Sequence, residues 1–469
     1  MSFVSPEFAL AALLFFPLYW CLHRHRKAQQ AFLLLGSYAL YASWSGTAAM
    51  ILAAYSLGIW LAGNWINAAA AQQRLRLSIA LLLALSVLLT TKYYEFFRQE
   101  VGEILPQLGL QVLLPVADFV APVGVSFYTF QAITYLVWRY REPPCAVGPL
   151  RSLVFLSFWP TLFAGPILRA DNFFRQMEES QGLPCAVARA IYLILLGLAQ
   201  KMVFANWLAE RFVDEAFRYP DRLDALSALA AIWAYSLQIF LDFSGYSLIV
   251  TGLGLLLGYE IPCNFRQPYL ARSLREFWHG WHITLSTFIR DYIYIPLGGS
   301  RGSYLRTQIN LLVAMILSGI WHGADTTFLL WGLLHGLGVV FLNLDSRLWQ
   351  LICGRQPPPL PLPLARLLTL LYVGFAWVFF RAASWDEAWQ LLAALRVLPD
   401  SVLPQHLALL GFTLVFFVLS TRAERLSAFA ETLIHRLRGW QLYLAGTLSA
   451  FAIVFFGPSG IPAFIYYQF

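Results

Sequence analysis

The chain has 469 residues, of which 59% are hydrophobic, 16% aromatic and 12% charged, and a formal net charge of +7. A soluble domain carries about 25% charged residues, so this composition excludes an ordinary soluble enzyme and describes an all-α polytopic membrane protein. The basic residues lie in short clusters between apolar runs, the pattern of cytoplasmic loops, and nucleic acid is not an expected partner.

The first apolar run, 6–22, has no basic residue before Phe8 and is followed by His23-Arg24-His25-Arg26-Lys27. That order is expected of a first span with its N-terminus outside the cytoplasm, not of a cleaved leader. From Ala28 to Gln73 there is no Asp, Glu, Lys or Arg. At ~20 apolar residues per span, the interval holds two helices and a tight turn. Further runs follow at 78–93, 121–138, 149–168, 186–206, 225–241, 243–259, 308–323, 326–344, 364–380, 403–420 and 441–457. Several are too short to cross alone, which predicts roughly ten to twelve spans plus re-entrant and interfacial helices. No repeat or long polar linker divides residues 1–469, which read as one membrane domain.

Within Ala121 to Gln131, Ser126, Thr129 and Gln131 read mainly as helix-packing groups. The charged stretch Arg169 to Pro184 reads as an exposed loop. The prolines of Gln356 to Pro361 forbid helix there and set a stiff connector before the C-terminal helices. Ser384-Trp385-Asp386-Glu387 is a capping box opening an interfacial helix, with Trp385 and Trp389 on one side. Between Thr421 and Trp440, Leu426, Phe429, Leu433 and Leu437 recur at helical spacing among arginines, as in an in-plane amphipathic helix.

The stretch Leu237 to Leu344 carries the groups that point to chemistry. Asp242, His322 and Asp325 lie in or beside apolar runs, where ionisable groups are costly and mark functional sites. His322 lies between Trp321 and Gly323, and a neutral imidazole suits proton transfer near pH 7. Asp325 either orients His322 or caps the next helix. His335 reads as a satisfied core histidine. Ala271 to Arg290 reads as one helix with a polar stripe of Arg272, Arg275, Glu276, His279, His282 and Ser286. Arginines 266, 272, 275, 290, 301 and 306 place this region on the cytoplasmic side and suit a phosphate-bearing donor. The five cysteines, Cys21, Cys145, Cys185, Cys263 and Cys353, have no metal-ligand spacing, and no metal is expected. There is no Walker loop, nucleophile elbow or His-Glu-x-x-His. The remaining chemistry fits acyl transfer from a thioester better than ion coupling.

Phe277-Trp278, Trp281-His282-Ile283-Thr284-Leu285-Ser286 and Arg290-Asp291-Tyr292-Ile293-Tyr294-Ile295-Pro296-Leu297-Gly298-Gly299 resemble the membrane-bound O-acyltransferases. So do Trp321-His322-Gly323, Pro122 to Tyr128, Ala164 to Ile167, Leu241 to Tyr246, Asn264-Phe265, Trp377 to Ala382 and Phe464 to Phe469. The chain is most similar to the bacterial branch that includes alginate O-acetyltransferase, the cellulose acetylation proteins and the teichoic acid D-alanyl transferase. That resemblance implies a ring of helices around a thin centre, with a core at about 120–345 and C-terminal helices at about 364–469. It implies His322 and His282 as catalytic residues and Trp321, Asn264, Arg272, Arg275, Ser286 and Trp281 as substrate-binding ones. Asp242, Asp325 and His279 would be supporting residues.

By the same resemblance no cofactor stays bound, and acetyl-CoA is the donor substrate. The acetyl group would cross the bacterial inner membrane, at His322, to a periplasmic acetyltransferase partner protein serving an exopolysaccharide synthesis complex. Whether His322 is general base or transient acyl carrier stays open. Between cellulose and alginate, the short chain leans towards cellulose. D-alanyl or lipid acyl transfer, and an acyl or glycan transporter, are the competing readings.

Overall fold

A computed structural model describes residues 2–68, 72–94, 96–98, 101, 122–142, 147–179, 186–399 and 401–458. Helices start where the sequence supplies an acceptor for the first free N–H groups. Ser5, Ser45, Ser273, Ser303 and Ser384 each open one, accepting the backbone N–H three residues on. Among the described residues there is no strand.

The chain divides into two compact units, Met1–Ala190 with Ile249–Pro262, and Ile191–Leu248 with Cys263–Phe469. In the first lie α1 (Pro6–Cys21), α2 (Arg26–Ala42), α3 (Gly46–Asn67), α4 (Gln73–Tyr93), α5 (Val125–Arg141), α6 (Pro149–Leu156) and α7 (Ala170–Glu178). Most of α8 (Val187–Arg218) and α9 (Ala225–Leu256) belongs to the second unit. There they are joined by α10 (Leu274–Gly280), α11 (Ile283–Ile289), α12 (Tyr304–His322), α13 (Thr326–Cys353) and α14 (Leu362–Arg381). The unit also holds α15 (Trp385–Ala394), α16 (Pro404–Thr421), α17 (Ala423–Arg436) and α18 (Gly439–Phe456).

Eight helices among the described residues, α3, α4, α8, α9, α13, α14, α16 and α18, are long and apolar enough to cross a membrane. The all-α polytopic reading therefore holds. Three expected runs are redrawn. The runs 225–241 and 243–259 form one helix, α9. Asp242 does not interrupt it, because its buried carboxylate pairs with the buried ammonium of Lys201 on α8. The run 149–168 is no span: α6 covers eight residues, Trp159–Leu162 makes one turn, and the chain then runs without helix to Arg169.

The expected loop at Arg169 is also corrected. Residues 170–178 form α7, which buries Phe173, Phe174 and Met177 and leaves Asp171 and Glu178 exposed; residues 180–185 lie outside the described set. The packing role of the Ser126–Gln131 group holds. Gln131 Nε2 donates to the Phe155 carbonyl at 2.8 Å, and Ser126, Thr129 and Gln131 are all buried. Gly124 opens α5 at φ +79°, and a Cβ there would stand 2.3 Å from the Leu162 carbonyl oxygen.

Residues 356–360 are non-helical, and α14 starts just after Pro361. Ser384 caps α15, and both Trp385 and Trp389 lie against Phe379. Leu426, Phe429 and Leu433 lie on α17 and are exposed. The family-like Phe464 to Phe469 lies outside the described residues.

Breaking a buried ion pair by removing one partner costs about 3–5 kcal/mol, whereas an apolar replacement of both is often neutral. Lys201→Met or Asp242→Leu alone should lower the melting temperature of the detergent-solubilised protein sharply. The double variant should recover most of the loss in a thermal-unfolding assay.

Candidate active site

The site is built on the hairpin of α12 and α13. Glycines let the two helices touch backbone to backbone: a Cβ on Gly319 would stand 2.3 Å from the Phe328 carbonyl oxygen, and one on Gly332 would stand 2.5 Å from that of Met315. The α12 helix stops at His322 because Gly323 is extended, and Asp325 restarts the chain as the cap of α13. Its carboxylate accepts the Thr327 N–H at 3.0 Å and the Thr326 hydroxyl at 3.3 Å. Of the two readings open for Asp325, capping is the one seen.

His322 is 3% exposed and sits in a cage of rings, with centroids at 4.8 Å for Trp321, 5.0 Å for Trp331 and 4.9 Å for Phe380. Trp321 also lies edge-on to His282, with centroids 6.0 Å apart. One indole therefore contacts both histidines, so residues 40 positions apart in sequence meet across a single ring.

Residues 271–290 are not one helix, contrary to the stripe reading. They break at Trp281 and His282, the latter at φ +41°, a conformation uncommon outside glycine. The segment Asn264–Arg266 causes the break. Arg266 N–H donates to the Gly280 carbonyl and Ile283 N–H to that of Asn264, both at 2.9 Å. Asn264 Oδ1 then accepts from Thr284 Oγ1 at 2.8 Å and Thr284 N–H at 3.2 Å, and lies 3.1 Å from His282 Nδ1. An amide oxygen can only accept, so Nδ1 carries the hydrogen and Nε2 is left as the basic nitrogen. His282 lies outside the eight apolar spans, and its complete burial pushes the imidazole down to about 3. It stays neutral at every physiological pH.

The other expected site residues are dispersed. Trp281 is buried against Phe265 and Trp377. Arg275 holds Asn343 of α13 at 2.6 Å, and Asn343 in turn donates to Gln308 of α12 at 2.7 Å; this arginine tethers helices. Arg272 and His279 are exposed. Asp242 pairs with Lys201, a partner the sequence reading missed; its neighbour Phe243 touches the His282 ring at 4.6 Å. His335 is fully buried against Trp278 and Trp331, but neither ring nitrogen has a hydrogen-bond partner among the described residues. It is a core histidine, not a satisfied one. No cluster fit for a metal occurs among the described residues.

Ser286, which bonds the Trp281 carbonyl at 3.1 Å, lines a cavity of about 280 Å³ with Trp278, Ile289, Arg290, Tyr294, Leu311, Ala314, Met315 and Ser318. Leu311, Ala314, Met315 and Ser318 follow one another at helical spacing, and the next position on that face is His322. The slot is largely apolar, and the exposed Arg290 stands at its edge.

A buried pair of histidines across one indole, beside an apolar slot with a basic edge, is suited to moving an acyl group. The comparisons agree. Residues 35–385 match the model of MBOAT, the membrane-bound O-acyltransferase family, and the chain belongs to that family. It is an O-acyltransferase. Among its relatives is the probable alginate O-acetylase AlgI of Pseudomonas aeruginosa, 35% identical over 77% of this chain and 69% of that protein. The Helicobacter pylori peptidoglycan O-acetyltransferase is 32% identical over 69% and 64% respectively. The Streptococcus thermophilus teichoic acid D-alanyltransferase is 28% identical over 46% and 56%.

Asn264 concentrates three contacts on one oxygen, and a buried polar group left unpaired costs about 1–3 kcal/mol. Asn264→Ala should therefore lower both thermal stability and acyl transfer. Thr284→Val, which keeps the His282 contact, should lose clearly less transfer activity in the same membrane assay.

Proposed function

We propose that the protein takes an acetyl group from acetyl-CoA at the cytoplasmic face and passes it, at His322, to a hydroxyl on the far side of the bacterial inner membrane. The single observation that carries this reading is the slot whose α12 wall, Leu311 to Ser318, stops one helical turn short of His322. Its apolar lining suits the thin acyl-bearing arm of a thioester. Arg290 at its edge, with exposed Arg301 and Arg306 nearby in sequence, suits the donor's phosphates.

With His322 as general base, its ring nitrogen removes the acceptor's hydroxyl proton as the oxygen attacks the acyl carbon. The C–S bond breaks, and the departing thiolate takes the proton back from the imidazolium. The products are an ester and a free thiol, and His322 is regenerated. As acyl carrier, His322 would instead attack first and hand the acetyl on to the hydroxyl. The aromatic cage excludes water that would otherwise hydrolyse the acyl group. His282, held neutral by burial and oriented by Asn264, fixes Trp321 between the two rings.

The acceptor we infer is an exopolysaccharide, reached through a periplasmic acetyltransferase partner, with the N-terminus periplasmic. The alginate O-acetylase relatives support an alginate-like polymer. The shortness of the chain, which leaned towards cellulose, is the weaker argument, since identity above 30% extends over most of the chain.

His322→Ala should abolish acetyl-ester formation on secreted polymer, a loss of 100-fold or more on the scale of general acid–base catalysis (about 10²–10⁴), with normal protein level. Membranes given labelled acetyl-CoA should transfer label in the wild type only. Unchanged acetylation in the variant would reject the assignment, and label from a D-alanyl donor alone would favour the teichoic-acid type of reaction.

A further inference from the structure

Among the described residues, two polar groups in the slot have no hydrogen-bond partner. Ser318 is 2% exposed, yet its hydroxyl makes no hydrogen bond among the described residues, and the same is true of the buried indole N–H of Trp278. Both residues line the slot, Ser318 on α12 and Trp278 on α10. A serine in a helix ordinarily bonds the carbonyl four residues back, as Ser236 does to Ile232 in this protein. Ser318 does not. Native structures pair nearly all such groups, so an unpaired pair at one cavity calls for an explanation.

The chemistry of the two groups restricts what they can hold. An indole N–H only donates, and a hydroxyl can donate, so together they suit one oxygen with no hydrogen of its own. Ser318 lies one helical turn before His322 on the same face of α12. An acyl group brought to His322 along the slot carries such an oxygen. His335, whose ring lies 5.0 Å from Trp278, backs the indole and limits its rotation.

We infer that Ser318 Oγ and Trp278 Nε1 form a two-donor clasp for the carbonyl oxygen of the acyl thioester, binding it in the ground state and holding the negative charge that develops when the acyl carbon is attacked. This rests on the donor reading of the slot. It assigns acyl recognition to two residues outside the histidine pair, and selects a carbonyl-bearing donor over free coenzyme A.

The test uses two unreactive ligands of similar size on the purified full-length protein. Acetyl-dethia-CoA places a ketone where the thioester carbonyl stands, and S-ethyl-CoA has no carbonyl. The wild type should favour the ketone by about 10-fold or more. Ser318→Ala and Trp278→Phe should each cut that preference by about 3- to 10-fold, the range expected for one hydrogen bond, with S-ethyl-CoA binding unchanged. Ser318→Ala removes only the hydroxyl and Trp278→Phe keeps an aromatic ring without the N–H, and melting curves check the fold. Ala314→Trp and Ser286→Trp, which fill the slot from either wall, should abolish binding of both ligands.

If the slot-filling variants lose both ligands while Ser318→Ala and Trp278→Phe retain the full ketone preference, the clasp is wrong and the donor slot stands. A wild type with no preference has the same meaning. If folded slot-filling variants bind both ligands as the wild type does, the donor reading falls and the clasp with it.

Discussion

The site depends on one close contact, the approach of α12 to α13 at Gly319 and Gly332. Added methyl groups there would press on carbonyl oxygens at 2.3 and 2.5 Å, so no side chain is accommodated without parting the helices. Small residues allow this approach in membranes, where packing has to supply what hydrophobic burial cannot. Its consequence is positional. With the hairpin shut, His322 at the end of one helix meets Trp331 on the other, and the aromatic cage closes around it.

Three polar pairings elsewhere in the second unit each have a mechanical result. Lys201 neutralises Asp242 and lets α9 run unbroken. Asn264 turns the chain at His282. Arg275, Asn343 and Gln308 tie three helices together. The groups on Trp278, Ser318 and His335, unmatched among the described residues, share one place. They lie at or beside the slot, where a ligand rather than the protein would complete them.

How much of this was legible in the sequence depended on distance along the chain. The membrane class came from run length and composition, which each segment declares by itself. His322 stood out because glycines and a tryptophan flank it within four positions. The partner of Asp242 did not, since Lys201 lies 41 residues away on another helix. The break at His282 was also hidden: residues 271–290 have helical periodicity, and it is overridden by backbone bonds from Asn264 and Arg266 that no local pattern encodes. Asp325 allowed two readings because a capping carboxylate and an orienting one are the same residue type in the same place. The slot could not be read at all, because its walls come from separate helices.

The path of α8 carries a last consequence. It contains two π turns, Ala199–Ala205 and Ala209–Val213, and such a turn bonds each residue to one place further along than an α turn does. Each one therefore accommodates an extra residue and rotates everything beyond it by about 100° around the axis. The apolar face drawn at constant period loses phase there, and the helix runs on past the apolar run 186–206 through Glu210, Arg211 and Asp214 to Arg218. Lys201 lies inside the first of these turns, so its inward direction is a property of helix phase. A one-residue deletion upstream of Arg218 within these turns would leave hydropathy almost untouched while changing which faces meet across the bilayer.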